Sequence, residues 1–104
     1  MLLDENTGEV ISLGEAKGYI DEFSKQYPNE VKGFFVGSNN VKAILEQEDC
    51  IGVRIYNGYN STEGRMNQVF VGVDTSEKDM TNGIIVDRTV ACPDYCDFDS
   101  ELIK

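Results

Sequence analysis

From Cys50 to Asp74 the apolar residues of this chain recur at every second position, and that period constrains its fold more than any other feature. Ile51, Val53 and Ile55 alternate with Gly52, Arg54 and Tyr56, and Val69, Val71 and Val73 alternate with Gln68, Phe70 and Gly72. A strand turns successive side chains to opposite faces, so each run describes a strand with one buried face. Asn57-Gly58 is a turn signal between them, and residues 59–64 complete a long hairpin connection. After a polar loop at 75–83, residues 84–90 read as a further strand. This reading sets Ile51, Val53, Ile55, Val69, Val71 and Val73 on one core face. Arg54, Tyr56, Phe70, Ile85 and Asp87 then lie on the other.

Upstream the period changes to that of a helix. Ser12 and Glu15 make an S-x-x-E capping box, which satisfies two orphan amides at a helix start. Ala16, Tyr19, Ile20, Phe23 and Tyr27 follow at helical spacing, and Pro28 stops the pattern. Gly14 and Gly18 each cost about 1 kcal/mol against Ala, so tertiary contacts must hold this helix. Residues 31–36 form a short strand candidate. Ser38 caps a second helix ending near Gln47, with Val41, Ile44 and Leu45 turned inward. Helices grouped ahead of consecutive strands indicate an α+β class. The expected architecture is two N-terminal helices on one face of a small antiparallel sheet, a meander of three to four strands, with an irregular tail at 91–104. A chain of 104 residues suits one domain, 1–104.

Charge and composition restrict function. Nineteen acidic residues against nine basic ones give a net charge of −10, with no basic stripe to neutralise phosphates. Nucleic acid and anionic membrane surfaces are therefore poor partners. The chain has no His, which removes the imidazole base, the Ser-His and Cys-His nucleophile pairs, and the His metal ligand. No apolar run approaches the roughly 18 residues of a transmembrane helix, and the N-terminus lacks the pattern of a secretory signal. Three cysteines cannot all pair within one chain, so a secreted disulfide framework is not expected and the location is read as cytoplasmic.

The segments Cys50-Ile51-Gly52-Val53-Arg54-Ile55-Tyr56, Val71-Gly72-Val73-Asp74 and Cys92-Pro93-Asp94-Tyr95-Cys96 occur in that order. As a set they resemble a family of small bacterial proteins of unknown function. The resemblance covers roughly the last two-thirds of the chain. It implies that the tail belongs to the folded module, and it carries over no catalytic residue.

Three groups of residues are candidates for chemistry. Cys92 and Cys96 have the C-x₃-C spacing of one half of a zinc site, and a second half would need another copy or carboxylates such as Asp94 or Asp97. The same two thiols suit a local disulfide or a redox pair, with Cys50 far off in sequence as a third thiol or a small buried hydrophobe. Asp74, Glu77 and Asp79 share one loop, but Ser76 and Lys78 fall where a calcium loop needs acidic or amide ligands. The third group is the second sheet face. Arg54, Tyr56, Phe70, Ile85 and Asp87 are of the types that anchor protein interfaces, unless the tail covers them or Arg54 simply pairs with Asp87. The function expected is a non-catalytic interaction or assembly module with no cofactor, its partner a second copy or another protein. The alternative is a small metal- or redox-responsive protein using Cys92 and Cys96.

Overall fold

A computed structural model of the chain describes residues 2–92 and 95–103. In chain order the elements are α1 (Leu13–Gln26), β1 (Gly33–Phe35), α2 (Ser38–Leu45), β2 (Cys50–Asn60), β3 (Arg65–Asp74), β4 (Ile85–Val86) and β5 (Val90–Cys92). The class is α+β. β2, β3 and β4 form an antiparallel three-stranded sheet in that order, and β1 pairs with β5 in a separate antiparallel sheet of two strands.

The Ser12 half of the capping box forms: its hydroxyl accepts from the Glu15 amide at 3.0 Å, and α1 ends at Gln26, ahead of Pro28. The packing differs from the expectation of two helices on one sheet face. α2 packs against β2 and β3 and buries Ile44, which is 1% exposed, whereas α1 buries none of its residues. The glycine-weakened first helix is thus the more peripheral one.

Two boundaries depart from the sequence pattern. β2 runs through Asn57-Gly58 to Asn60, and the turn falls at 61–64, where Gly64 takes a φ of 70° and its amide donates to the Asn60 carbonyl at 2.8 Å. The glycine at 58 serves close approach instead of a turn. It lies opposite Asn67, and a Cβ there would sit 2.5 Å from Asn67 Oδ1. The strand expected at 84–90 is split in two. Arg88 adopts a φ of 58°, a left-handed conformation unusual for a residue with a Cβ, and the chain leaves the larger sheet there to pair with β1 as β5.

Register decides which residues share a face, because directly opposed residues on neighbouring strands point the same way. Arg54 opposes Val71, Tyr56 opposes Val69, and Ile85 opposes Val71 from the other side. Ile55 opposes Phe70, and Val53 opposes Gly72. The two aliphatic runs therefore do not share one face: even positions of β2 meet odd positions of β3, and each face receives one of the two runs. Both faces are covered at the middle of β3, where Phe70, Val71, Gly72 and Val73 are all buried.

The face of Phe70 and Gly72 lies under the end of α2. A Cβ at Gly72 would come within 2.9 Å of Gln47 Nε2 and 3.1 Å of both Cys50 Sγ and Met80 Sδ. Gln47 itself ties three elements together. Its Nε2 donates to the Ile44 carbonyl at 2.9 Å, and its Oε1 accepts from the Ile84 amide at 2.9 Å, just before β4. A Cβ at Gly83 would collide with the same Oε1.

Candidate functional site

The opposite face, that of Val71, carries a polar cluster whose key member comes from the loop at 75–83. That loop is ordered from within by Asp74, whose Oδ1 accepts from the amides of Ser76 at 2.8 Å and Lys78 at 3.0 Å. This carboxylate is occupied by its own turn, in the manner of Asp side chains that mimic a backbone turn. The loop then returns along β3: Asp79 bridges to Val73, and the Met80 amide donates to the Gly72 carbonyl at 2.8 Å. Opposition to Val73 turns Asp79 onto the face of Val71, and Met80 onto the other.

From the far side of β3, two residues of β2 reach Asp79. Arg54 Nη1 donates to Asp79 Oδ1 at 2.5 Å, and the Tyr56 hydroxyl donates to Asp79 Oδ2 at 2.5 Å. Since β2 and Asp79 flank β3 on opposite edges, these two bonds cross above Val71, which is 4% exposed. The cluster is a polar strap over an aliphatic strand. The Tyr56 hydrogen bond, with help from the Arg54 guanidinium, holds the Asp79 carboxyl below its ordinary value against the desolvation that raises it. The hydrogen bond to Asp79, then desolvation, pushes the Tyr56 phenol above its ordinary value. Bonding to Asp79 likewise raises Arg54.

These directions describe a locked ion pair. A carboxylate with both oxygens engaged and a lowered pKa makes a poor general base, and a phenol held protonated is a poor nucleophile. What the arrangement can do is fix the Tyr56 ring, which stays half open to solvent on the face it shares with exposed Ile85.

The five sheet residues singled out from the sequence are thus divided. Arg54, Tyr56 and Ile85 share the face of Val71. Phe70 points to the opposite face and is buried, which corrects its assignment to that surface; the parity of the hairpin pairing is the reason. Asp87 does not pair with Arg54 but accepts from Asn67 Nδ2 at 3.2 Å. Asp79 and Gln47 are the residues sequence reasoning missed. Asp79 was visible only as a failed calcium ligand, and its real partners lie 23 and 25 positions earlier.

Cys92 and Cys96 form a disulfide at the end of β5, and Cys50 stands apart as a free thiol that donates to the Gly52 carbonyl at 3.2 Å. The three sulfurs therefore do not form one group. Asp94, considered as a metal ligand, lies outside the described residues. Among the described residues no three Cys, Asp or Glu side chains cluster as a metal site requires. The disulfide borders a cleft of about 240 Å³ between α1, β1 and the tail, lined by Ile20, Phe34, Leu102 and Ile103 among others. No helix of the described residues is long and apolar enough to cross a membrane.

Apolar side chains are concentrated outside the core as well. Tyr19, Phe23 and Tyr27, four positions apart, form a ridge along α1 with exposures of 67, 37 and 56%. The last two rings touch, their centroids 5.2 Å apart. Tyr95 and Phe98 add two exposed rings from the tail. No family model, no curated protein and no solved structure matches this chain.

Proposed function

We propose that this protein is a non-catalytic module that acts by protein–protein contact, with a second copy of itself or with another protein. The observation that carries the reading is the exposed aromatic ridge Tyr19, Phe23 and Tyr27, which belongs to a helix with no buried residue of its own. Contiguous apolar surface of this kind marks interaction sites in soluble proteins, and Tyr and Phe are enriched there. The Arg54–Asp79–Tyr56 strap supports the reading from the chemical side, since it engages the groups that acid–base work would need free. A net charge of −10 opposes close approach of two copies, so contact must run through surface that carries few acids.

The test is native mass against concentration, taken together with a free-thiol count. The expected result is a mass at a multiple of 11.6 kDa and one reactive thiol per chain, that of Cys50. A monomer at every concentration that also forms no complex in its native extract overturns the proposal.

The disulfide favours a second reading, a redox-responsive protein. Disulfides persist in oxidising compartments and are transient or sensory in a reducing cytosol. In a cytoplasmic protein the Cys92–Cys96 bond would therefore open and close. Three reactive thiols in protein isolated under thiol trapping, falling to one on mild oxidation, is the outcome that supports it.

A further inference from the structure

Besides the chain itself, one covalent bond ties the tail at residues 96–103 to the smaller sheet. Cys92 belongs to β5, and its carbonyl accepts from the Lys32 amide at 2.7 Å, so pairing with β1 holds it in place. Cys96 belongs to the tail, and the Cys92–Cys96 bond sets the two Cα atoms 4.6 Å apart. Beyond it the chain folds on itself. The Ser100 amide donates to the Asp97 carbonyl at 3.1 Å, the Ile103 amide to the Ser100 carbonyl at 3.2 Å, and the Asp99 amide to Asp97 Oδ1 at 3.1 Å. Such local turn bonds travel with the segment when it moves.

The tail borders the smaller sheet where one of its faces is covered. Phe34 opposes Ala91, which is buried, whereas Phe35 and Val90 on the other face are exposed. Leu102 and Ile103 line one cleft with Phe34 of β1 and Ile20 of α1, and all four are half-buried. Cys92 and Cys96 line the same cleft and are half-buried too, so a small thiol can reach their bond.

We propose that the Cys92–Cys96 bond is a latch whose reduction frees the tail and uncovers Ile20 and Phe34. The inference rests on the redox-responsive reading and names what the bond controls. The reductant is a dithiol. One of its thiolates attacks a sulfur of the bond, forming a mixed disulfide and releasing the other cysteine as a thiolate that takes up a proton. The reductant's second thiol then displaces the first cysteine, so two electrons and two protons pass to the pair and the reductant leaves as a disulfide. With the bond open, the four chain steps from Cys92 to Cys96 can span roughly 13 Å, enough to carry Leu102 and Ile103 out of the cleft. Opening is local, because a bond that closes so short a loop constrains the unfolded chain little. Ile20 follows Tyr19 and lies three positions before Phe23 on α1, so its exposure widens the aromatic ridge on one side.

Residue-resolved amide hydrogen exchange on the full chain tests this, comparing the oxidised protein with protein in excess dithiothreitol and with Cys92→Ser/Cys96→Ser. The double variant separates the bond from any effect of the reagent on Cys50. In both opened forms the amides of Tyr95, Ser100 and Ile103 exchange at least tenfold faster, while that of Val71 changes less than twofold. Nile red, a neutral dye for apolar surface, gains at least twofold in fluorescence. A Val71 amide that quickens along with the tail overturns the latch as a local device, and faster tail exchange with no dye response overturns the uncovering of Ile20 and Phe34. If the bond opens in the folded protein and the tail amides keep their oxidised rates, the latch is overturned and the redox-responsive reading stands. If dithiothreitol opens the bond only after urea unfolds the chain, the latch and the redox-responsive reading fall together.

Discussion

The larger sheet with α2 and the smaller sheet with α1 are built from similar residues but held very differently. β2 and β3 pair over ten positions, and α2 sets Ile44 into their side. β1 and β5 pair over three, and α1, with more aromatic residues than α2, buries none of them. The difference lies in neighbours rather than in hydrophobicity. Ile44, Phe70, Val71 and Val73 are enclosed from several directions, by strand, helix, loop and strap, while Tyr19, Phe23 and Tyr27 project from a helix that buries none of its residues. Apolar content stabilises only where the chain can close around it.

The sharpest way to break this comparison is to strike one aromatic or aliphatic residue in each region. Val71→Asp sets a carboxylate under the Arg54–Asp79 strap and leaves no folded protein at 25 °C by circular dichroism. Ile44→Ala and Phe70→Ala lower stability by about 2–5 kcal/mol in urea, the range for enclosed large side chains. Phe23→Ala, on the exposed ridge, costs less than about 0.5 kcal/mol. Equal losses at Phe70 and Phe23 would erase the distinction between the regions.

Smaller effects sharpen it. Gly83→Ala and Gly72→Ala each press a methyl into Gln47 and cost about 1–3 kcal/mol. Combining either with Gln47→Ala recovers part of that loss in a double-mutant cycle, because the methyl then has room. If the cycle shows no coupling, Gln47 is not the clamp between α2 and β4.

The strap gives the larger sheet a pH signature. Asp79 binds its proton more weakly folded than unfolded, so its contribution is complete at neutral pH, begins to fall below about pH 4 and is gone once the pH passes beneath the folded value. Tyr56 titrates the other way, and its contribution is lost as the pH rises through its raised folded value, above about 10. Melting temperature against pH should therefore decline at both ends in the wild type, and Asp79→Asn should flatten the acid limb. An unchanged acid limb removes the strap as a source of stability.

Opening the disulfide should have a small effect. It closes a loop of only three residues, and short loops restrict the unfolded chain little. Cys92→Ser with Cys96→Ser is expected to cost about 1 kcal/mol or less in urea, with exchange at Phe70 to Val73 unaltered. Loosening of those amides would show that the two sheets are one cooperative unit.

Much of this arrangement is legible in the residues, and the failures have physical causes. The Ser12 cap, the stop before Pro28 and both bounds of β3 follow from local chemistry and appear as expected. Which strand faces meet is not a local property. It depends on the length of one hairpin loop, and reading Asn57-Gly58 as the turn shifts the pairing by one and exchanges Phe70 with Val71. Arg54 and Tyr56 stand out in the sequence as interface types, but their partner Asp79 comes from a loop whose return along β3 no periodicity announces. The left-handed turn at Arg88, which sends one apolar run into two sheets, carries no glycine or proline to signal it.

The pairing of β1 with β5 also has a consequence in time. Gly33 meets Cys92 across more than half of the chain, whereas Asn60 meets Arg65 around a four-residue turn. Closing the short loop is fast, and holding the distant ends together becomes worthwhile only after the intervening sheet has shortened the path between them. β1 is therefore expected to dock late, after the rate-limiting barrier. Substitutions at Phe34 speed unfolding with little change in the folding rate, while those at Val71 slow folding. On that order of events, contacts added to the smaller sheet would slow unfolding more than they speed folding.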